Sequence, residues 1–267
     1  MDPRKIYSFI KRDFREFISY PLSALFTFLS VFLTLFIFFY LSRVISPGSS
    51  ILKYSGDYFS FVIIGIAFSS AATSGLNTIV SALRNEEMKG TLEILLSGRV
   101  KTIDVLTGLM SFNIIFELFR MLFILVLSAV FFGLKIHYDK IYVSIIFLLL
   151  TFFTFLSLGI ISGGIILITK KGNPLSFLVN QANLLFSGVY FPYEILPLWL
   201  KVFSFAFPTT YALKAIRLNL LQGYGFDRLY GELFILIGFA AVLLPASVVF
   251  FDQALKLCKK WGSLNTY

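Results

Sequence analysis

A chain of 267 residues that is 58% hydrophobic and only 14% charged cannot hide its apolar surface in one water-soluble core. Its mean hydropathy of +0.86 makes lipid the solvent for most of its length. The formal charge of +9 then speaks of topology rather than nucleic acid, and one cysteine (Cys258) and one histidine (His137) exclude a disulfide framework and zinc or haem chemistry.

Residues 1–21 predict an amphipathic helix lying on the membrane surface. Ile6, Phe9, Ile10, Phe14, Phe17 and Ile18 recur at spacings of three and four, with Arg4, Lys5, Lys11, Arg12 and Arg15 on the wet side. Asp2 and Pro3 suit its start, and Pro21 breaks it. Such a helix anchors the chain and is also placed to pass force to the first span.

Apolar runs follow at 22–41, 58–82, 105–132, 141–168, 175–191 and 231–251. Each reaches or nearly reaches the ~20 residues that cross a bilayer. Gly65, Ser69 and Thr73, then Ala67, Ala71 and Gly75, and the pair Gly159 and Gly163, put small residues at helix-packing spacing. Between Pro192 and Gly223 the apolar stretch is short, bounded by Pro197 and Pro208, and contains Lys201. That pattern predicts a re-entrant or interfacial pair of helices on the outer side rather than a seventh span. Glu194, Lys201 and Arg217 are expected to face outer water there, with Tyr190, Tyr193, Trp199 and Tyr211 as an aromatic belt.

Charge placement orients this layout. Segments 1–21, 83–104, 169–174 and 252–267 hold fourteen Lys and Arg, whereas the short loops 42–57 and 133–140 hold four and segment 192–230 another four. Both termini are therefore expected in the cytoplasm. The expected fold is an all-α integral membrane protein with six transmembrane helices, an N-terminal interface helix (1–21), a membrane domain (22–254) and a cytoplasmic tail (255–267).

Glu117 and Arg120 lie three residues apart near the middle of the third span, where charge is costly. Two readings stand: a polar lining of a translocation path or its gate, or a structural pair bonded also to Asn77 or Asn113. Asn180, Gln181 and Asn183 in the fifth span suit the path or a subunit interface.

Two segments are more specific than hydropathy. Residues 84–100, RNEEMKGTLEILLSGRV, place a short amphipathic helix, 86–96, between the second and third spans; residues 187–217 carry Ser-Gly, then Leu-Pro-Leu-Trp-Leu, then Pro-Thr-Thr-Tyr and an arginine. Together they resemble the type-2 family of ABC transporter permeases, and the outer segment resembles its daunorubicin-resistance branch more than its polysaccharide branch. The resemblance covers the chain in order; Arg99 departs from it where the family often has proline. It implies a non-catalytic permease subunit in the cell (inner) membrane, paired with a second permease as a homodimer or heterodimer. Cytoplasmic ATPase subunits would carry ATP and Mg. Residues 86–96 would then be the coupling helix, with Glu86, Glu87, Lys89, Gly90, Thr91 and Glu93 meeting the ATPase. Gly188, Pro192, Glu194, Pro197, Trp199, Pro208 and Tyr211 would form an outer gate within 192–217.

No G-x-x-x-x-G-K-[ST] motif occurs, so the chain has no phosphate cradle of its own, and no catalytic or metal residues are expected. The expected cargo is an amphiphilic drug or lipid-like compound, with a lipid-linked polysaccharide as the alternative. A membrane-embedded lipid enzyme would need a histidine or carboxylate cluster near the surface, which this sequence lacks. A stand-alone channel or an ion-coupled carrier is a third reading; such a carrier should show related halves, and none is visible.

Overall fold

The computed structural model describes residues 3–45, 57–88, 102–169 and 174–260, with no strand among them. Helix α1, Pro3–Ser19, and helix α2, Pro21–Val44, are separated only by Tyr20 at φ −119° and ψ 68°. Pro21 causes the break: its ring suits the first turn of α2 but drives the residue before it out of the helical region. Phe14 and Phe17 of α1 pack on Phe112 and Phe116, while Tyr7 and Ile18 stay exposed. This is the geometry of a helix with one side on the bundle and one available to lipid.

The chain continues as α3 (Tyr58–Met88), α4 (Thr102–Phe132), α5 (Ile141–Thr169) and α6 (Pro174–Phe186). A single 3-10 turn, Tyr193–Ile195, leads to α7 (Leu198–Phe205), α8 (Pro208–Gln222) and α9 (Phe226–Lys260). Five stretches are long and apolar enough to cross a membrane: Pro21–Val44, Tyr58–Ser81, Ser111–Phe132, Ile141–Thr169 and Phe226–Cys258. They coincide with the expected first, second, third, fourth and sixth spans.

The expected span over 175–191 takes a different form. Its helix, α6, has 13 residues, about 20 Å at 1.5 Å per residue. Gly188 ends it, adopting φ 75° just past the last turn, the left-handed cap that glycine takes without a Cβ penalty. Beyond it Pro197 and Pro208 punctuate the chain as the sequence leads one to expect, preceding α7 and opening α8.

Burial orders the bundle. In the most apolar stretch of α3, 83% of residues are buried, against 11% in that of α2. Helices α3 and α5 pack along each other, α9 covers the far side of α5, and α4 lies on α3. Glycines set the α3–α5 distance: a Cβ at Gly159 would stand 2.7 Å from the Gly75 carbonyl oxygen, and one at Gly75 would stand 2.8 Å from that of Phe152. Both obstacles are backbone and cannot swing away. We expect Gly159→Val to lower stability by about 1–3 kcal/mol through overpacking, read as a drop in melting temperature in detergent.

The end of α8 rests on the connection before α5. The His137 amide donates to Leu220 O at 2.7 Å, and buried Ser144 donates to Asn219 Oδ1 at 2.6 Å. Residues 219–226 therefore sit at the bundle end that carries the α4–α5 connection, whereas Thr169 lies at the other end of α5, a helix of 29 residues.

Candidate functional site

Helix α3 carries an unusual density of small polar side chains for so buried a helix, and two neighbours use them. Along α6, Asn180 Nδ2 donates to Asn77 Oδ1 at 2.9 Å. One turn further, Asn183 Nδ2 donates to Ser69 Oγ at 3.0 Å while accepting from Ser187 Oγ at 2.7 Å. Matching 180, 183 and 188 against 77, 69 and 61 makes α6 and its following turn antiparallel to α3. Asn183 and Ser187 are buried within this one chain, whereas Gln181 is exposed. A buried amide needs such partners, since an unmet one in an apolar setting is expensive.

Against α4, the same face of α3 forms a polar groove of about 300 Å³ lined by Ser70, Thr73, Asn77, Asn113, Glu117 and Arg120 among others. Arg120 Nη2 lies 3.0 Å from Glu117 Oε2, with side chains 29% and 20% exposed. The sequence pairs these residues correctly; Asn77, offered as a further partner, is bonded to Asn180 instead. The alignment is poor. Glu117 Oε2 takes no well-directed hydrogen bond, and Arg120 Nε is buried without an acceptor. Glu117 also borders an apolar cavity toward α5, and Arg120 a smaller one toward α2. The ion pair thus stands where three cavities meet.

Segment 187–217 is built around Arg217, and here the sequence expectation is corrected. Arg217 does not face water; it is 3% exposed. Its Nε donates to Phe61 O at 3.1 Å, Nη1 to Gly188 O at 2.8 Å and Nη2 to Val189 O at 3.0 Å. The guanidinium also lies 3.5 Å from the Phe61 ring centroid. Gly65 leaves room for this: a Cβ there would overlap Arg217 Nη2 and the Val189 carbonyl. The small residue that sequence reading assigns to helix–helix packing is a socket for an arginine.

The other expected gate residues are placed along the same segment. Gly188 supplies an acceptor for Arg217, and Pro192 and Pro208 are buried. Lys201 Nζ donates to the Glu194 carbonyl at 3.1 Å, and the Tyr211 hydroxyl to Phe205 O at 3.2 Å. Pro197 caps α7 from the residue before it, and Trp199 on that helix is 69% exposed, as an interfacial tryptophan would be. Lys214 bridges to Glu232 of α9 at 2.6 Å. Burial alone would lower the lysine pKa, but the bond to Glu232 outweighs it and the pKa rises above the usual lysine value. Burial and then the neighbouring Glu194 charge raise the Tyr193 phenol.

Of the residues expected to meet an ATPase, Glu86 and Glu87 form backbone of the last turn of α3. Lys89, Gly90, Thr91 and Glu93 lie outside the described residues. Among the described residues no group of three His, Cys, Asp or Glu is placed to hold a metal ion.

Comparison with curated proteins finds no match. The family model described as ABC-2 type transporter matches residues 4–221, from α1 through α8 and across the whole polar groove. With several apolar helices of spanning length and a family match over most of its length, the chain is a multi-pass membrane permease of the ABC-2 type transporter family.

Proposed function

We propose that the protein is the membrane half of an ATP-driven exporter in the cell (inner) membrane, moving an amphiphilic drug or lipid-like compound outward. The observation that carries this reading is the polar groove between α3 and α4, with Glu117 and Arg120 set inside an otherwise apolar bundle. A polar seam of this kind is costly in hydrocarbon and finds its use where cargo passes. Its apolar flanks favour an amphiphile over a long hydrophilic polysaccharide. The outer segment's likeness to the daunorubicin-resistance branch points the same way.

The polypeptide crosses the bilayer six times in this reading, with both termini in the cytoplasm. Support for the count comes from the bundle ends: the chain leaves α5 at Thr169 and returns beside His137 at Leu220, so α6 and the turn after it complete a crossing that α6 alone is too short to make. Helices α7 and α8 then form the outer re-entrant gate, tied down by Arg217. Two permease subunits, alike or related, pair with two ATPase subunits that bind ATP and Mg. Residues 86–96 couple the ATPase to α3 and α4, and α1, seated on Phe112 and Phe116, stiffens the same end.

Charge reversal at Glu86, Glu87 and Glu93 tests the coupling. Each substitution exchanges one charged side chain for another of similar size, so the test reads charge rather than packing. We expect unchanged folded yield, and association with the cognate ATPase weakened by about tenfold through lost charge complementarity. Transport in reconstituted vesicles should fall with it. Equal association and transport in the triple variant would remove this segment as the coupling element; transport by the permease without any ATPase would overturn the exporter reading itself.

A further inference from the structure

Helices α4 and α5 both pack on α3 but make few contacts with each other. The gap between them is a cavity of about 260 Å³. Ala71 and Ser74 of α3 form its floor, Ile114 and Leu118 of α4 one wall, and Phe152 and Leu156 of α5 the other. At its mouth stand Leu149 and Phe153, 42% and 44% exposed on the outside of the bundle. In a bilayer that mouth opens onto hydrocarbon, so an apolar chain can enter it without passing through water.

Among the described residues, the wall carries a single charged side chain, Glu117. Glu117 and Ser74 line both this cleft and the polar groove behind it, whereas Arg120 lines the groove and not the cleft. A carboxylate at the inner end of an apolar pocket attracts a cation and repels an anion, and the low dielectric enlarges both effects. The misaligned contact with Arg120 matters here. An ammonium arriving from the cleft side can take up the carboxylate while the guanidinium turns into the wet groove, where Asn113 and Thr73 offer oxygen atoms. The two chambers are each close to the ~300 Å³ at which small-molecule sites begin, and they meet at Glu117.

We propose that the α4–α5 cleft is a lateral binding site for single-chain cationic amphiphiles, with the alkyl chain between the two helices and the ammonium at Glu117. The proposal deepens the exporter reading by naming a substrate class and the side from which it arrives. Binding itself requires neither ATP nor a partner subunit.

The test uses the full chain in phosphatidylcholine nanodiscs and, as probe, dodecyltrimethylammonium carrying a photoreactive diazirine at its chain end. We expect saturable labelling of peptides containing Ile114, Leu118, Leu149 and Phe153. Unlabelled dodecyltrimethylammonium should compete about tenfold better than dodecyl sulfate, as charge selection at one carboxylate requires. Glu117→Gln, and the Glu117→Gln, Arg120→Gln pair as a better-tolerated background, should erase that preference in the fraction that elutes as folded protein. Leu149→Trp fills the mouth from the lipid side and should reduce labelling. Labelling that does not saturate, equal competition by the two detergents, or an unchanged preference after Glu117→Gln would overturn the proposal. ATP-dependent transport of the same probe is measured separately with the ATPase in vesicles. Cleft binding without transport would count against the exporter reading alone, and amphiphile export without cleft labelling would count against the cleft alone.

Discussion

Arg217→Ala is expected to leave little folded protein. The guanidinium joins three segments: the start of α3 through Phe61, the turn after α6 through Gly188 and Val189, and α8, on which it sits. Removing it strands carbonyls in the non-helical turn, at about 1–3 kcal/mol each when buried. It also empties the socket that Gly65 provides. The two stranded carbonyls and the lost packing together come to about 3–5 kcal/mol, a large share of a typical stability of 5–15 kcal/mol. Arg217→Lys should recover only part of this, because an ammonium is a point donor and cannot fork between carbonyls. Size-exclusion yield and thermal melting in detergent report the effect. A melting temperature for the alanine variant equal to that of the parent would remove Arg217 from this role.

The second large effect concerns the ion pair. Glu117→Ala should harm folding more than Glu117→Ala combined with Arg120→Ala. The single change leaves a guanidinium in low dielectric with its Nε already lacking an acceptor, whereas the double change leaves no charge behind. The expected gap is about 2 kcal/mol, below the 3–5 kcal/mol of a fully buried pair because water reaches both side chains. Folded yield and transport are measured together. A double variant as unstable as the single would count against pairing; a stable double variant without transport would assign the pair to the path.

Much of this architecture is written in local pattern. Long apolar runs gave five spanning helices, and Pro21, Pro197 and Pro208 marked breaks that the backbone obeys, since proline acts on the two residues nearest to it. Glu117 and Arg120 were legible because three residues on a helix bring side chains onto one face. Arg217 was not. An arginine next to an aromatic belt reads as a snorkelling surface residue, and its acceptors lie 156, 29 and 28 positions away in sequence. Backbone carbonyls leave no residue-type signature, so only the fold reveals them. A hint existed in Gly65, whose spacing with Ser69 and Thr73 looks like a packing stripe but serves an arginine and, through Ser69, Asn183. The shortness of α6 was hidden for a related reason. Ser187 and Gly188 interrupt a helix without interrupting hydropathy.

The hydroxyls of α3 bear on how firmly the groove would hold a guest under the proposed function. Thr73 donates to Ser69 O, Ser74 to Ala71 O, Thr78 to Ser74 O and Ser81 to Asn77 O, at 2.7–2.9 Å. Each donor is already spent on its own helix, as serine and threonine do in apolar surroundings. A departing guest therefore strands no hydroxyl proton, and an arriving one finds lone pairs but few free donors to grip it. Under the proposed function, such a lining would wet its cargo without holding it. Residence times along the groove should be short, set by the ion pair rather than by the walls, which suits a conduit better than a receptor.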